Sequence, residues 1–164
     1  MPAGPTYEPI ATSNLSGVNT VTFSSIPSTY TDLVLVMNAI CSNTGSALAR
    51  VNSDTGNNYS GTGIRGTGSS VASYRRTNEG AFLLSFNGVT PTNNGSWILQ
   101  FQNYANTTTY KTMLNRFSWA DSEVITTVGL WRNTSAINSI TTYIDGVGTF
   151  SSGTTVSLYG IASA

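Results

Sequence analysis

The sequence predicts an all-β chain, an antiparallel jelly-roll-like β-sandwich folded as a single domain, and three observations carry that expectation. The first is composition. Thr, Ser, Asn and Gly together make 79 of the 164 residues, while Lys appears once and His never. Such a chain has few strong helix formers, and threonine, stiff at χ1, suits a pleated and half-exposed strand. The second is the even spread of three Trp, eight Tyr and six Phe, an anchoring that a disordered Ser/Thr/Gly tract lacks. The third is the recurrence of short, apolar-alternating runs between turn clusters, at the spacing of a sandwich or barrel. A chain of this length suits one domain with a two-layer core.

Taken in order, "MPAGPTYEPI" carries prolines at 2, 5 and 9. Proline cannot donate to a regular ladder, so residues 1–10 read as an extended arm or an edge, with the sandwich over 11–164. "VNTVTFSS" places Val21 and Phe23 on one face. "DLVLVMNAI" is apolar on both: Leu33, Leu35, Met37 and Ala39 on one, Val34, Val36 and Ile40 on the other. That pattern predicts a central strand covered on both sides, by a second sheet or by a neighbouring subunit. Asp32 opens this strand in a structural role, and Cys41, at its end, reads as a small buried hydrophobe.

"SALARVN" follows, then the turn cluster "SDTGNNYSGTG". The glycine-rich "SGTGIRGTGSS" reads as a surface loop and "SYRRTNE" as a loop or edge. "AFLLSF" and "SWILQFQ" read as strands, the second with Trp97, Leu99 and Phe101 inward and Gln100 and Gln102 outward. Between them "NGVTPTNNG" holds two Asn-Gly steps, tolerant of positive φ. "YKTMLNRFSW", "EVITTVGLW", "INSITTYIDG" and "TVSLYGI" complete roughly nine or ten strands, the number expected of a jelly roll.

Charge and missing residue types exclude several functions. Seven cationic and seven anionic residues balance to zero, so no basic field exists to bind nucleic acid. No run approaches the length of a spanning helix, and no cationic amphipathic stretch suits a membrane surface. "MPAGPTYEPI" lacks the basic head and apolar middle of a signal peptide, which predicts synthesis in a cytosol without general secretion. One cysteine excludes an internal disulfide and a multi-cysteine zinc site. Without histidine there is no Ser-His-Asp or Cys-His arrangement and no His-based metal site.

What remains is weak as catalysis. Asp121 and Glu123 in "WADSEV" are two apart but lie between strands, and read as a solvated turn. "NSDTGNNY" offers oxygens at alternate positions, yet lacks the closing carboxylate of an EF-hand-type calcium loop. "SGTGIRGTGSS" has no Gly-Lys-Ser/Thr ending and opens no helix, so it is no phosphate cradle. The five Asn-x-Ser/Thr sequons, at Asn14, Asn58, Asn94, Asn106 and Asn133, follow from composition. The chain is thus expected to be no enzyme and to need no cofactor or metal. Tyr74, Arg75, Arg76 and Asn78 are the residues that would contact a sugar. Trp119, Trp131 and Tyr159 are aromatic anchors for either the core or an oligomer interface.

The succession "FSSIPSTYTDLVLV", "NSDTGNNYS", "FQNYANTTTYKTML", "VGLWRNTSAINSITTYIDG" and "FSSGTTVSLYGI" resembles a family of small Thr/Ser/Asn-rich virion proteins of tailed bacteriophages. The resemblance runs from about Tyr7 to Ile161. It implies a β-sandwich module on the particle surface, often trimeric, made in the host cytoplasm and carrying no catalytic motif. The resemblance implies a virion location better than it implies one job; the short chain, in which no shaft, coiled coil or separate attachment domain is read, favours capsid decoration: a homotrimer on the outer shell, cementing capsomers and touching the major capsid protein. Partner contacts would then come from Met1, Pro2, Pro5, Tyr7 and Pro9 in the arm and from Trp119 and Trp131. The competing role is a tail-fibre or receptor-binding module contacting host polysaccharide through Tyr74 to Asn78. A stand-alone carbohydrate-binding module is the third reading.

Overall fold

The computed structural model describes residues 6–43, 45–86, 94–119 and 121–162. Among them lie twelve β-strands. Eight form one antiparallel sheet, in the order β1 (Tyr7–Leu15), β12 (Thr154–Ile161), β3 (Asp32–Ala39), β8 (Gly95–Gln102), β9 (Lys111–Trp119), β10 (Glu123–Trp131), β5 (Tyr59–Gly66), β6 (Val71–Glu79). Four form the second, in the order β2 (Thr20–Phe23), β11 (Ile140–Ile144), β4 (Ala47–Val51), β7 (Phe82–Ser85). The two sheets pack face to face as an all-β sandwich.

The topology separates into two parts. With β5, β6, β9 and β10 set aside, eight strands remain. By rank along the chain they run first, eighth, third, sixth in one sheet and second, seventh, fourth, fifth in the other. The remaining four are two hairpins, one inserted between β4 and β7 and one between β8 and β11. They pair with each other and with β8 to extend the large sheet well beyond its partner. At that end β7 is the strand of the small sheet that packs against β5, β9 and β10.

Period-two alternation sets the core. On β3, Leu33, Leu35, Met37 and Ala39 are completely buried, facing Phe101, Leu99 and Trp97 of β8 in register. Val21 and Phe23 point inward from β2, and Cys41 is buried as expected. The other face of β3 is only partly covered: Val34 is buried, while Val36 and Ile40 are half-exposed. Tyr159 is the neighbour of Val34 on β12. Cover on both sides of β3 therefore ends within the large sheet, and no second sheet lies over its outer face.

Four expectations are corrected. Within residues 1–10, Tyr7 to Ile10 belong to β1 and pair with β12, so this part is the edge of the sheet and not a free arm. Proline is tolerated there since β1 is an edge strand and its register shifts next to Pro9. The strands number twelve and not nine or ten: residues 60–66 of the glycine-rich stretch belong to strand β5 and not to a loop, while "SYRRTNE" lies in the edge strand β6, with Arg76 paired to Glu79 as its edge reading expects. Glycine sits in β5 and β10 where aromatic rings lie against the backbone. A Cβ on Gly63 would fall 2.5 Å from the Tyr74 ring, and one on Gly129 would fall 2.6 Å from Phe82. Glu123 is not part of a solvated turn; it begins β10 with its side chain inward. Finally, Trp131 is core, only 1% exposed. The "NGVTPTNNG" loop from Asn87 to Asn93 lies outside the described residues.

Candidate functional site

The groups with chemical capacity are mostly spent on the fold itself. Asp54, in the turn weighed as a calcium loop, accepts hydrogen bonds from Gly56 N (2.8 Å), Asn58 Nδ2 (2.9 Å) and the Trp131 indole Nε1 (2.7 Å). Burial pushes its carboxyl up, but these three donors outweigh that and hold it below the ordinary carboxylate range. Among the described residues no three His, Cys, Asp or Glu come together as a metal cluster. Lys111 is buried and unpaired with any acid. Its Nζ donates to Thr109 O (2.7 Å) and Thr134 O (3.0 Å), clasping two loops, and desolvation lowers its pKa.

Glu123 pairs with Arg65 with its side chain fully buried, and its other oxygen has no hydrogen-bond partner. Arg65 in turn lies over the Phe86 ring. Asp121 is exposed in the hairpin turn, so the two acids do not act together.

The four residues expected at a sugar site do not assemble, and alternation along β6 is the reason. Tyr74 and Arg76 share one face and Arg75 takes the other. Tyr74 turns under the sheet, where its hydroxyl and that of Thr127 lie 2.6 Å apart and its ring packs edge-on against Phe86. Burial raises its pKa. Asn78 adopts a left-handed backbone (φ 57) and accepts a hydrogen bond from Arg132. Arg75 borders a shallow depression of about 410 Å³ on the outer face, beside Thr77, Thr112, Val128 and Leu130.

Of the expected partner contacts, Met1, Pro2 and Pro5 lie outside the described residues. Tyr7 is 57% exposed, its ring edge-on to Tyr159, and Pro9 is exposed beside it. Trp119 is half-buried against the core. Trp131, buried and bonded to Asp54, presents nothing to a partner.

Two surfaces stand out that sequence reading did not assemble. One is the outer face of the large sheet. Register aligns Val34, Gln100, Leu114, Val128 and Thr62 in one cross-strand row, and Val36, Ile98, Arg116, Thr126 and Ile64 in the next. Ile64 and Val124 are each 58% exposed and Val71 79%. Asp32, Arg75 and Arg116 are the charged residues that the register puts on this face. The signal was present in the outward positions of β5 and β10, which hold Ile and Val where a solvated sandwich carries polar residues.

The other is a cleft of about 240 Å³ where the chain passes from β6 in the large sheet to β7 in the small one. Its floor is Leu48 and Leu83, and its rim holds Arg50, Arg76, Glu79, Tyr143 and Asp145. The Arg50 guanidinium sits 4.8 Å above the Tyr143 ring and its Nε donates to Gly80 O (2.9 Å). Arg76 donates to Glu79 at 3.0 Å. Burial raises the pKa of Tyr143, against the pull of Arg50. Residues so far apart in sequence gave no common motif.

Searches of family models, curated proteins and solved structures return no match to this chain.

Proposed function

We propose that the chain is a non-enzymatic structural protein of a tailed-phage virion, a decoration or cement protein that sits on the outer shell as a homotrimer. The observation that carries this reading is the exposed, sparsely charged apolar face of the large sheet. A patch of Ile, Val and Leu on a Thr/Ser/Asn-rich surface is the mark of a protein–protein contact. The particle and the trimeric state come from the sequence resemblance.

The strand ranks support the reading as well. First, eighth, third, sixth opposed to second, seventh, fourth, fifth is the order of a jelly roll, two Greek keys wound together, here with a four-stranded extension. The extension supplies most of the apolar outer face. Five strands about 4.8 Å apart and eight or nine residues long give β8 to β6 an outer face of roughly 700 Å² in plan. That is comparable with the roughly 800 Å² each partner gives to a standard interface, and a protein that bridges two partners uses a second contact as well. Tyr7 and Pro9, exposed at the opposite edge of the sheet, are candidates for that second contact. A cement protein needs no more chemistry than this: apolar burial on two sides of each copy.

Quantitative mass spectrometry of purified virions, with the major capsid protein as reference, tests the role. A copy number comparable to that of the capsid protein supports decoration. A handful of copies moves the chain to the tail, and absence from the particle overturns the reading. Light scattering on the purified chain tests the contact. Val128→Asp, at an exposed strand position, should dissociate the oligomer, whereas molar salt should change it little because ion pairs contribute little.

A second reading, a receptor-binding module, draws on the small, open, mainly polar cleft beside β6.

A further inference from the structure

We infer that the cleft between β6 and β7 is a binding site for a neutral saccharide. The inference stands apart from the virion reading, since it rests on the cleft's own geometry.

The rim carries two cations and two anions. Arg50 and Arg76 balance Glu79 and Asp145, so the site has no net attraction for a phosphate, a sulfate or a cation. What it offers is a close alternation of unused donors and acceptors. Of the Arg50 guanidinium, Nε is committed to Gly80 O, which leaves both terminal nitrogens open. Arg76 commits Nη2 to one oxygen of Glu79, leaving the other oxygen of that carboxylate as an acceptor. Asp145 accepts from Gly146 N with Oδ1 (3.0 Å) and keeps Oδ2. A sugar hydroxyl donates and accepts at once, and adjacent hydroxyls match an arginine beside a carboxylate.

The groups are also held in place before any ligand arrives. Tyr143 beneath Arg50 and the carbonyl of Gly80 fix one guanidinium, and Glu79 fixes the other, so little ordering cost falls on binding. Leu48 and Leu83 give an apolar floor for the C–H face of a ring. A cleft of about 240 Å³ fits one or two sugar units.

The test is NMR titration of the full chain with glucose, galactose, mannose and N-acetylglucosamine, and separately with inorganic sulfate. One of the sugars should shift the amides of residues 46–50, 76–81 and 143–145 saturably, at about millimolar affinity for so small and open a site. Glu79→Gln and Asp145→Asn should each weaken binding about tenfold, the loss expected for one hydrogen bond to a charged group. Asp145 is exposed, so its variant keeps the fold and the test stays decisive if Glu79→Gln does not. Sulfate shifting the same amides in place of sugar would overturn the inference, as would sugar shifts confined to the outer sheet face or no saturable shift with any sugar.

Discussion

The eight strands shared between the two sheets and the four-stranded extension are built by different rules. On β3 and β8 the inward positions are Leu33, Leu35, Met37, Trp97, Leu99 and Phe101, all with no exposure. In the extension the inward positions mix buried apolar side chains, Tyr59, Met113, Phe117, Ile125 and Trp131, with Gly61, Gly63, Arg65, Tyr74, Asn115, Glu123, Thr127 and Gly129. There the layer is closed by aromatic rings laid on glycine and by polar pairs: Asn115 Nδ2 to Leu84 O (2.8 Å), Tyr74 to Thr127, Arg65 to Glu123. Apolar side chains that the extension does not use inside, Ile64, Val71, Val124 and Val128, it shows outside. The difference teaches that the shared strands are a core closed by apolar packing, while the extension mixes apolar, glycine and polar contacts inside and shows an apolar platform outside.

The contrast predicts where damage spreads. Trp97 is buried and stacks on Phe117 at 4.5 Å. Trp97→Ala should cost about 3–5 kcal/mol, lowering the urea midpoint with all probes moving together. Probes that separate, with the extension outlasting the shared strands, would reverse the assignment of core and platform.

Gly129→Ala sharpens the comparison from the other side. Its Cβ would meet Phe82 of β7 at 2.6 Å and Met113 of β9 at 2.9 Å, side chains packed against β10 from the small sheet and from within the extension. Forcing that methyl in should cost about 1–3 kcal/mol. Hydrogen exchange should rise in β5, β6 and β10, next to the forced methyl, and stay slow in β3 and β12. A uniform rise across both sheets would show that the molecule has a single cooperative unit and that the two regions are not energetically distinct.

The same contrast decides what could be read from sequence. "DLVLVMNAI" and "SWILQFQ" were legible as strands, the second down to its inward Trp97, Leu99 and Phe101, whereas the first reads as covered on both faces and fully buries only one. The β5–β6 hairpin was not legible. Its glycines are required by rings from distant parts of the chain, and a glycine packed beneath a ring looks in sequence like a glycine in a loop. Glu123 reads as a turn acid for the same reason, since its partner Arg65 is 58 residues away. Of the expected sugar contacts, only Arg76 reaches the cleft, because alternation sends its neighbours elsewhere and Arg50, Tyr143 and Asp145 come from β4 and the end of β11.

Glu123→Gln probes the extension's buried pair directly. It keeps the shape and removes the charge that neutralises Arg65. A cost of about 1–3 kcal/mol is expected, recovered in part by Arg65→Met in the same chain. If the double variant is no better than the sum of the two, the ion pair is not what holds β5 to β10.

The smallest effect concerns Asp54, which ties the β4–β5 turn to Trp131 at the end of β10 and so joins the two regions. Its folded-state pKa lies below the ordinary value, so the folded chain holds this proton less tightly than the unfolded one. The stability it contributes is therefore fully present above the unfolded carboxylate value, about pH 4, and is lost as pH falls through the folded value. With no histidine in the chain, no side-chain imidazole titrates between about pH 5 and 8 to obscure this. Urea midpoints of the native chain and Asp54→Asn, compared from neutral pH downward, should keep a constant gap until about pH 4 and then converge. A gap that persists unchanged to lower pH would mean that geometry alone, and not the charge on Asp54, fastens the indole of Trp131, and the junction would then be insensitive to acid.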